Sequence, residues 1–446
     1  MPRNFPPDFT WGAATASYQI EGGAQEGGRK MSTWDAFCQE DGKVFNGDSG
    51  QEACDHFHRW KQDISLMKEL NLGAYRFSLA WPRILPDGDG AINHEGLDFY
   101  DHLVDALLEA GITPWATLFH WDLPQALQQR YGGWAHSQCT EDFAHYAQVC
   151  AARLGDRVKN WFTINEIICF TTLAHQEGRH APGNILSPVE SNATVRNALI
   201  GHGKALRALK AEVPDVKVGL VENLEAVWPL YASEEHVAAG KKAFHDLNQQ
   251  RLYPALKGQF NQEAYERHFG PCPPISDEDL ALMSPESDFI AYNYYTARPV
   301  VAADNAQGWQ EVPFPKDYPR TNMGWPITPE GLYWSLRYSG EEFPHLPIYV
   351  TENGCAAEDE PDESGYVADA GRVQFYRSHL DACLRAHEDG APLKGYFAWS
   401  LMDNFEWSEG YSKRFGLTRV NYETQQRTIK ASGRFYAQCI RKGHIV

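Results

Sequence analysis

The amino-acid sequence predicts a (β/α)8 barrel, an α/β fold in which helices surround eight parallel strands. Short β-rich runs alternate with helical patterns along the chain, and eight such runs are present. No linker, low-complexity segment or break in composition divides the 446 residues. Length alone would favour more than one domain, but barrels of this class often exceed that size as one unit. We therefore expect a single domain over residues 1–446, with enlarged loops after the strands.

The predicted strands are short runs of β-branched and aromatic residues bounded by turn residues. In chain order they are Phe9–Ala14, Ala74–Trp81, Thr113–His120, Asn160–Glu166, Lys217–Asn223, Phe289–Tyr295, Ile348–Glu352 and Gly395–Leu401. The helical patterns between them include Trp60–Leu70, Leu97–Ala110, Thr140–Leu154, Asn192–Ala211, Glu234–Arg251, Pro329–Ser339 and Asp369–His387. A doubly wound sheet would require a glycine-rich phosphate turn after the first strand, which Gly12–Ala16 does not provide. Two long connections, Gln25–Phe57 and Val301–Gly324, are expected to roof a site.

Composition and charge exclude several classes of partner. Acidic residues outnumber basic ones by 59 to 40, so the formal net charge is −19, which repels nucleic acid and anionic membranes. Nine scattered cysteines form neither a CxxC pair nor a zinc spacing, and His56 and His58 have no third ligand nearby. Free thiols, and an N-terminal segment without the apolar core of a secretion signal, predict a cytoplasmic protein. The sequence leaves the oligomeric state open.

Polar or amphipathic residues stand at or near the end of each predicted strand. They are Gln19, Arg76, His120, Asn165, Glu166, Asn223, Asn293, Tyr295, Glu352 and Trp399. Any one of them alone has an ordinary structural explanation, since His120 or Trp399 would more often be a satisfied core residue. Because the parallel strands of a barrel end at one face, the whole set predicts a constructed pocket at that face.

Two of these residues are carboxylates at the tips of buried strands. Glu166 ends the run Asn160–Glu166, and Glu352 lies in Pro347–Gly354. A carboxylate in such a place is costly to desolvate unless it has partners or a task. Cleavage of a glycosidic bond requires two such groups, one acid and one nucleophile or base. The structural alternative is a buried charge pair with Arg76.

Six segments carry a family pattern, in the same order along the chain. They are Phe9–Gly22 (FTWGAATASYQIEG), Tyr75–Ser78 (YRFS), Leu118–Pro124 (LFHWDLP), Thr163–Glu166 (TINE), Thr351–Gly354 (TENG) and Asn404–Trp407 (NFEW). Together they resemble glycoside hydrolase family 1, the β-glucosidase family. The similarity extends from Phe5 to Tyr436, nearly the whole chain.

The resemblance implies the catalytic roles. Glu352 would be the nucleophile that forms a glycosyl-enzyme, and Glu166 would protonate the leaving oxygen and then deprotonate water. Retention of configuration requires carboxyl groups about 5–5.5 Å apart. Arg76 and the Tyr295 hydroxyl are expected beside Glu352, where they favour its charged form. Burial near that charge is expected to keep Glu166 protonated.

The resemblance also implies a set of sugar-binding residues. Asn165 would bind the 2-hydroxyl, and Gln19, His120 and Glu406 the 3-, 4- and 6-hydroxyls, with help from Trp407. The remaining residues shape the pocket. Trp399 would stack under the sugar, Asn293 would form the wall near the nucleophile, Trp325 would be the leaving-group platform, and Phe415 would line the entrance.

The chain departs from the family pattern after the acid. Where a proline and a large aromatic residue usually follow the glutamate, this chain has Ile167, Ile168 and Cys169. We therefore expect a wider or less discriminating leaving-group subsite, with Cys169 near its edge. The Glu406-Trp407 pair is typical of enzymes for unphosphorylated sugars, and a glutamate at position 166 disfavours the thioglucosidase branch.

The predicted function is hydrolysis of terminal β-D-glucosyl residues from small soluble glucosides and cello-oligosaccharides, and hence cellulose degradation. No cofactor or metal is implied, because protonation and covalent catalysis carry out the chemistry. The alternatives are a transglycosylase, a broader β-galactosidase or β-fucosidase, a 6-phospho-β-glucosidase, and a non-catalytic sugar-binding protein. Glucose, galactose and fucose differ at one hydroxyl, and the set Gln19, His120 and Glu406 can accept more than one of them.

Overall fold

The computed structural model describes residues 3–446, and its centre is a closed barrel of eight parallel strands. The strands, in chain order, are Thr10–Ala14, Ala74–Ser78, Thr113–Phe119, Asn160–Asn165, Lys217–Asn223, Ile290–Asn293, Ile348–Asn353 and Leu393–Trp399. Each strand pairs with the next one along the chain, and the eighth closes the barrel against the first. The predicted fold class is confirmed, and all eight strands lie where the sequence pattern indicated.

Helices connect the strands on the outside of the barrel. The longer ones are His56–Glu69, His94–Glu109, Gln138–Leu154, Pro188–Glu212, Glu234–Leu247, Pro329–Glu342, Ala370–Glu388 and Ala431–Lys442. The shorter ones are Ser17–Ile20, Thr33–Phe37, Trp81–Ile84, Gln125–Tyr131, Ile167–Phe170, Thr172–His175, Leu252–Lys257, Gln262–Phe269 and Asp277–Met283. Single 3-10 turns occupy Phe45–Gly47, Gly133–Ala135, Asn248–Gln250 and Trp407–Glu409.

Three details differ from the sequence prediction. The second strand ends at Ser78 rather than Trp81, because Pro82 favours the first turn of a helix and Trp81–Ile84 is helical. The helix predicted over Glu234–Arg251 ends at Leu247 and tightens into a 3-10 turn. The C-terminal helix Ala431–Lys442 was not predicted, although its buried residues follow helical spacing.

Two small sheets accompany the barrel. One contains Val227–Pro229, Arg298–Ala302 and Trp309–Glu311, and the other pairs Thr418–Val420 with Arg427–Ile429. The long connection Val301–Gly324 is therefore partly ordered as strands: it includes the end of Arg298–Ala302 and all of Trp309–Glu311. Its end brings Met323 to the cleft, as expected of a roof, whereas Gln25–Phe57 contributes Trp34, whose ring packs 4.6 Å from that of Trp407.

The interior of the barrel is filled by aromatic rings. Trp115 packs 5.5 Å from Phe162, 4.9 Å from Tyr349 and 5.5 Å from Phe397, all measured between ring centroids. Burying a large apolar side chain contributes about 1.5–3 kcal/mol, so this layer is a substantial part of the core. The guanidinium of Arg76 lies 5.1 Å above the ring of Phe162. The aromatic layer therefore supports the polar layer that follows toward the carboxyl ends of the strands.

Both strands that carry the predicted carboxylates have irregular registers near their ends. The pairing of the fourth and fifth strands shifts between Phe162 and Asn165. The seventh strand shifts against the sixth between Val350 and Glu352, and against the eighth between Val350 and Asn353. Such irregularities change the direction of the next side chain and often occur beside active sites. Here they lie directly before the two glutamates.

Candidate active site

A cavity of about 400 Å³ opens at the carboxyl ends of the strands. Nine of the predicted site residues line it: His120, Glu166, Tyr295, Trp325, Glu352, Trp399, Glu406, Trp407 and Phe415. The other four, Gln19, Arg76, Asn165 and Asn293, are buried beside it and hydrogen-bond to lining residues. The cavity therefore has a lining layer and a supporting layer of polar side chains.

Glu352 is held by two donors. Arg76 donates from Nη1 to Oε1 at 2.7 Å, and the Tyr295 hydroxyl donates to Oε2 at 2.6 Å. Glu352 is only 3% exposed. Burial raises the pKa of Glu352 to about 7, and Arg76 and Tyr295 act in the opposite direction. The expectation that these two residues favour the charged form is thus correct in direction, but burial outweighs them.

Glu166 follows the fourth strand directly and has different partners. Asn293 donates from Nδ2 to Oε1 at 2.6 Å, and the Cys169 thiol donates to Oε2 at 3.1 Å. Its backbone has a φ of +47°, a left-handed conformation that is uncommon for residues other than glycine. The backbone N–H donates to the Val221 carbonyl at 2.9 Å, which ties this conformation to the fifth strand. Neutral donors therefore surround Glu166, whereas a cation contacts Glu352.

A network of amides and one guanidinium joins the two carboxyl groups. Arg76 Nη2 donates to Asn165 Oδ1 at 2.6 Å, and Asn293 Nδ2 donates to the same oxygen at 3.0 Å. Thr351 donates to Asn293 Oδ1 at 2.9 Å. Because Asn165 Oδ1 already accepts two hydrogen bonds and Nδ2 contacts His120, one amide N–H of Asn165 remains for a ligand. The network fixes the distance between the groups that hold Glu166 and Glu352.

His120 lies between two indole rings. Its ring is nearly parallel to that of Trp399 (5.9 Å, 17°) and to that of Trp407 (6.0 Å, 16°). Asn165 Nδ2 donates to His120 Nε2 at 3.1 Å, so the neutral ring carries its proton on Nδ1. Burial lowers the pKa of His120 well below its ordinary value, and Arg76 acts in the same direction. A neutral imidazole with a fixed tautomer therefore forms this wall.

Two buried polar atoms of this wall have no partner among residues 3–446, namely His120 Nδ1 and Gln19 Oε1. Gln19 Nε2 donates to the Phe405 carbonyl at 2.7 Å and to Asn404 Oδ1 at 3.0 Å, which fixes the direction of Oε1. Buried polar groups are nearly always hydrogen-bonded in a native complex. A donor and an acceptor without protein partners are therefore suited to a ligand with several hydroxyl groups.

Four carboxyl groups and one guanidinium, that of Arg179, line the cavity. Glu406 lies 3.4 Å from Gln19 Nε2. Burial raises its pKa to about 8, and the charges of Glu352, Glu166 and Glu409 add to the rise. Arg76 contacts Glu352, but it does not line the cavity. An anionic group such as a phosphate would meet these carboxylates, so the site is better suited to an uncharged ligand.

The outer part of the cavity is formed by residues that the sequence analysis did not assign. They are Trp121, Leu173, Arg179, His180, Met323, Ser408 and Glu409. They join Asn223, which was predicted at the end of the fifth strand, and Ile168 and Cys169 from the turn where the family pattern changes. Cys169 was expected at the edge of the leaving-group subsite, and its thiol reaches Glu166 itself. Trp121, Arg179, His180 and Met323 lie outside helices and strands, where no periodic pattern marks them.

Within residues 3–446, no group of three or more His, Cys, Asp or Glu side chains is placed to hold a metal ion. No helix in the same range is both long and apolar enough to cross a membrane.

Comparison with known proteins gives a consistent family. A sequence profile described as glycosyl hydrolase family 1 matches residues 1–444. The chain is 43% identical over 442 residues to beta-glucosidase A of Thermotoga maritima, covering 98% of each chain. It is also 43% identical over 442 residues to 1,4-beta-D-glucan glucohydrolase of Thermotoga neapolitana, again covering 98% of each. A solved structure of the Thermotoga maritima beta-glucosidase in complex with deoxynojirimycin superposes with a TM-score of 0.90, 42% identity and full coverage of both chains.

The profile match and the identity extend over nearly the whole chain, including both strands that carry the buried carboxylates. The structural similarity covers the same length. The predicted family is thereby confirmed, and this chain belongs to glycosyl hydrolase family 1.

Proposed function

We propose that the protein is a retaining β-glucosidase that releases terminal β-D-glucosyl residues from small soluble glucosides and cello-oligosaccharides. The observation that carries the proposal is the pair of buried carboxyl groups with unlike partners, a cation and a phenol at Glu352 and neutral donors at Glu166. The names of the two bacterial relatives, a beta-glucosidase and a 1,4-beta-D-glucan glucohydrolase, support the substrate class.

In the first step, Glu352 attacks the anomeric carbon and the glycosidic bond breaks. Glu166 gives its proton to the departing oxygen, so the leaving group departs neutral and the sugar stays attached to Glu352. Arg76 and Tyr295 orient the attacking carboxylate, since each contacts a different oxygen of it. The fixed network around Asn165 and Asn293 keeps both carboxyl groups in place, which lowers the entropy cost of reaching the transition state.

In the second step, water replaces the leaving group and the roles reverse. Glu166, now ionised, removes a proton from water, whose oxygen attacks the anomeric carbon and releases Glu352. Two inversions at one carbon give net retention. The charge of Glu352 is absent in the glycosyl-enzyme, so the electrostatic surroundings of Glu166 differ between its acid and base roles.

The inner wall of the cavity supports binding of an uncharged sugar. His120 Nδ1 offers a donor and Gln19 Oε1 an acceptor, and Glu406 faces the same space. Asn165 retains amide hydrogen for the 2-hydroxyl, a contact that strengthens as the oxocarbenium-like transition state forms. Trp399 and Trp407 provide flat apolar surfaces for the sugar ring. The carboxylates of this wall disfavour a 6-phosphorylated sugar.

We further infer a single domain and a reducing compartment, in which the protein contributes to cellulose breakdown. The barrel strands extend from Thr10 to Trp399, and the C-terminal helix returns to the first strand, where the Tyr436 hydroxyl donates to the Gly12 carbonyl at 2.8 Å. All nine cysteines are free, and all but Cys38 are buried, which supports a cytoplasmic location.

The decisive experiment follows an aryl β-glucoside by time-resolved proton NMR, with the wild-type protein beside Glu352→Gln. We expect β-glucose as the first product of the wild type and almost none from the variant. Initial release of α-glucose would contradict the two-step mechanism. Release of longer glucosides instead of glucose would favour transglycosylation, and turnover of 6-phosphoglucoside alone would favour the phosphoglycosidase alternative.

A further inference from the structure

The turn after Glu166 places a thiol on that carboxylate. Cys169 lies three residues later, in the helical turn Ile167–Phe170 that Glu166 begins. The Cys169 backbone N–H donates to the Glu166 carbonyl at 3.0 Å, and the thiol donates to Glu166 Oε2 at 3.1 Å. His180 donates from Nδ1 to the Cys169 carbonyl at 3.1 Å, which fixes the turn from the other side. The thiol is thus held against the carboxylate by backbone contacts, independently of any ligand.

The two oxygens of Glu166 have partners of different chemical ability. Asn293 Nδ2 is only a donor, so Oε1 accepts at 2.6 Å and has no place for a proton on that side. When Glu166 is protonated, its proton therefore belongs on Oε2, the oxygen that Cys169 contacts. A thiol is a weak donor and a weak acceptor, so it tolerates Oε2 with or without a proton. A group that can only donate, such as an amide N–H, would favour only the ionised state.

We propose that Cys169 is a positioning residue for Glu166. Its thiol donates to Oε2 while the carboxyl group is ionised, and it turns away or accepts when Oε2 carries the proton. The contact thus stabilises the ionised form slightly and keeps Oε2 directed toward the cavity that both residues line. This inference rests on the proposed acid–base function of Glu166.

Cys169 can act as this donor because its side chain stays a protonated thiol. Burial raises the pKa of Cys169 well above its ordinary value, and the charge of Glu166 adds to the rise. The residue is 6% exposed and lines the cavity. Simple packing would be served equally by valine, which has a similar volume and no S–H group. The proposed role of Cys169 therefore depends on its hydrogen bond to Glu166 and not on its volume.

Other charged groups surround Glu166, and the test must separate them from the thiol. Those that act on it through space are Arg76, Glu222, Tyr295, Glu352 and Glu406, and Arg251 pairs with Glu222 and acts on Cys169. Burial raises the pKa of Glu222 to about 7 and that of Glu406 to about 8, so both titrate in the range where an acid catalyst loses its proton. These groups are the same in the Cys169→Val and Cys169→Ser variants. A difference between the two pH profiles therefore reports the side chain at position 169.

The first experiment measures kcat/KM against pH for the wild type, Cys169→Val and Cys169→Ser. Without the thiol donor, the ionised form of Glu166 is less stable than it is in the wild type. The variant should therefore keep this carboxyl group protonated to higher pH than the wild type does. The basic limb should therefore move up by about 0.5–1 pH unit in Cys169→Val, and Cys169→Ser should restore it to the wild-type position or lower. Cys383→Val is the matched control, since this buried cysteine on Ala370–Glu388 is remote from Glu166, and its profile should match the wild type.

The outcomes separate this inference from the proposed function. If the wild type does not hydrolyse the glucoside, both are wrong. If the wild type is active with a bell-shaped profile but the valine and serine variants have the same basic limb, the thiol inference is wrong and the proposed function stands.

A second measurement does not depend on turnover. The infrared S–H stretch of Cys169, isolated as the difference between wild type and Cys169→Ser, should shift with pH as Glu166 titrates. In Glu166→Gln the same band should not shift. A band that is insensitive to pH in the wild type would overturn the proposed contact even if the variants differed in activity.

Discussion

The inner and outer halves of the cleft are built differently. The inner half contains His120, Glu352 and Glu406, which are buried or nearly so and held by side-chain hydrogen bonds. The outer half contains Ile168 from the short helix Ile167–Phe170 and Arg179 from a loop. The Arg179 side chain is 58% exposed, and Glu177 is its only ion-pair partner within residues 3–446. A group that is fixed on several sides selects one geometry, whereas apolar loop contacts select mainly by volume. We therefore infer strict recognition of the sugar and loose recognition of the leaving group.

Among substitutions in the inner half, Arg76→Met is expected to have the largest effect on activity. Removing the guanidinium leaves the buried Glu352 carboxylate without its cation, and breaking a buried pair costs about 3–5 kcal/mol. We expect kcat/KM to fall by about a thousandfold. Steady-state kinetics and thermal unfolding are measured together, because the same substitution lowers stability.

Arg83→Met is the matched control for that substitution. Arg83 is fully buried and pairs with Glu21 at 3.0 Å, but neither residue lines the cleft. This variant should lose stability to a similar degree and retain most of its activity in the folded protein. Equal losses of activity in the two variants would show that the effect is general destabilisation and would remove the special place given to Arg76.

A smaller effect is expected for Glu406→Gln. The carboxylate faces the sugar space, and a charge-assisted hydrogen bond contributes about 1.5–3 kcal/mol. Above pH 8, where the Glu406 carboxyl group is ionised, kcat/KM for a β-glucoside should fall by about 10- to 100-fold, whereas the relative rate with 6-phosphoglucoside should rise because a negative charge is gone. The two substrates are compared with Glu409→Gln as a control in the outer half. A similar loss for both glutamates would contradict the division of the cleft.

The pH dependence of glycosylation tests the charge balance at Glu352. Its pKa is raised to about 7 by burial, and the nucleophile must be ionised to attack. Activity should therefore rise as pH increases through about 7, and it should fall about tenfold for each pH unit below the limb. Tyr295→Phe removes a hydrogen bond that lowers this pKa, so its acid limb should move to higher pH. An unmoved limb would mean that another group controls it.

The two halves also differ in how far the sequence predicted them. Residues such as His120 and Glu352 end β-rich runs, and the geometry of a parallel barrel brings strand ends together. The sequence therefore predicted which residues meet. It did not predict that Asn165 and Asn293 lie behind the lining residues and hold them by hydrogen bonds, because that depends on side-chain directions near the irregular registers.

Loop residues of the outer half follow no comparable rule. Trp121 has a φ of +79°, a backbone conformation that favours glycine over other residues. Its indole N–H donates to the Asn165 carbonyl at 2.8 Å. Neither fact is visible in the segment His120-Trp121-Asp122. Burial is the other quantity that sequence lacks. Partners of Glu352 were predicted correctly, but the depth of burial decides the final direction of its pKa shift.

The smallest effect, and the most direct test of the outer half, is Ile168→Trp. Ile168 lines the cavity at the position where the family usually has a large aromatic residue. A new indole there should contact the leaving group, and such contacts contribute about 0.5–1.5 kcal/mol, so KM should change by about two- to tenfold among aryl, alkyl and cellobiosyl leaving groups. KM ratios between glucoside, galactoside and fucoside should stay constant, because these sugars differ only in the inner half. Ile168→Leu is the control for a change of shape without an aromatic ring. If Ile168→Trp alters sugar preference as strongly as leaving-group preference, the two halves of the cleft are not independent, and the comparison on which these predictions rest is wrong.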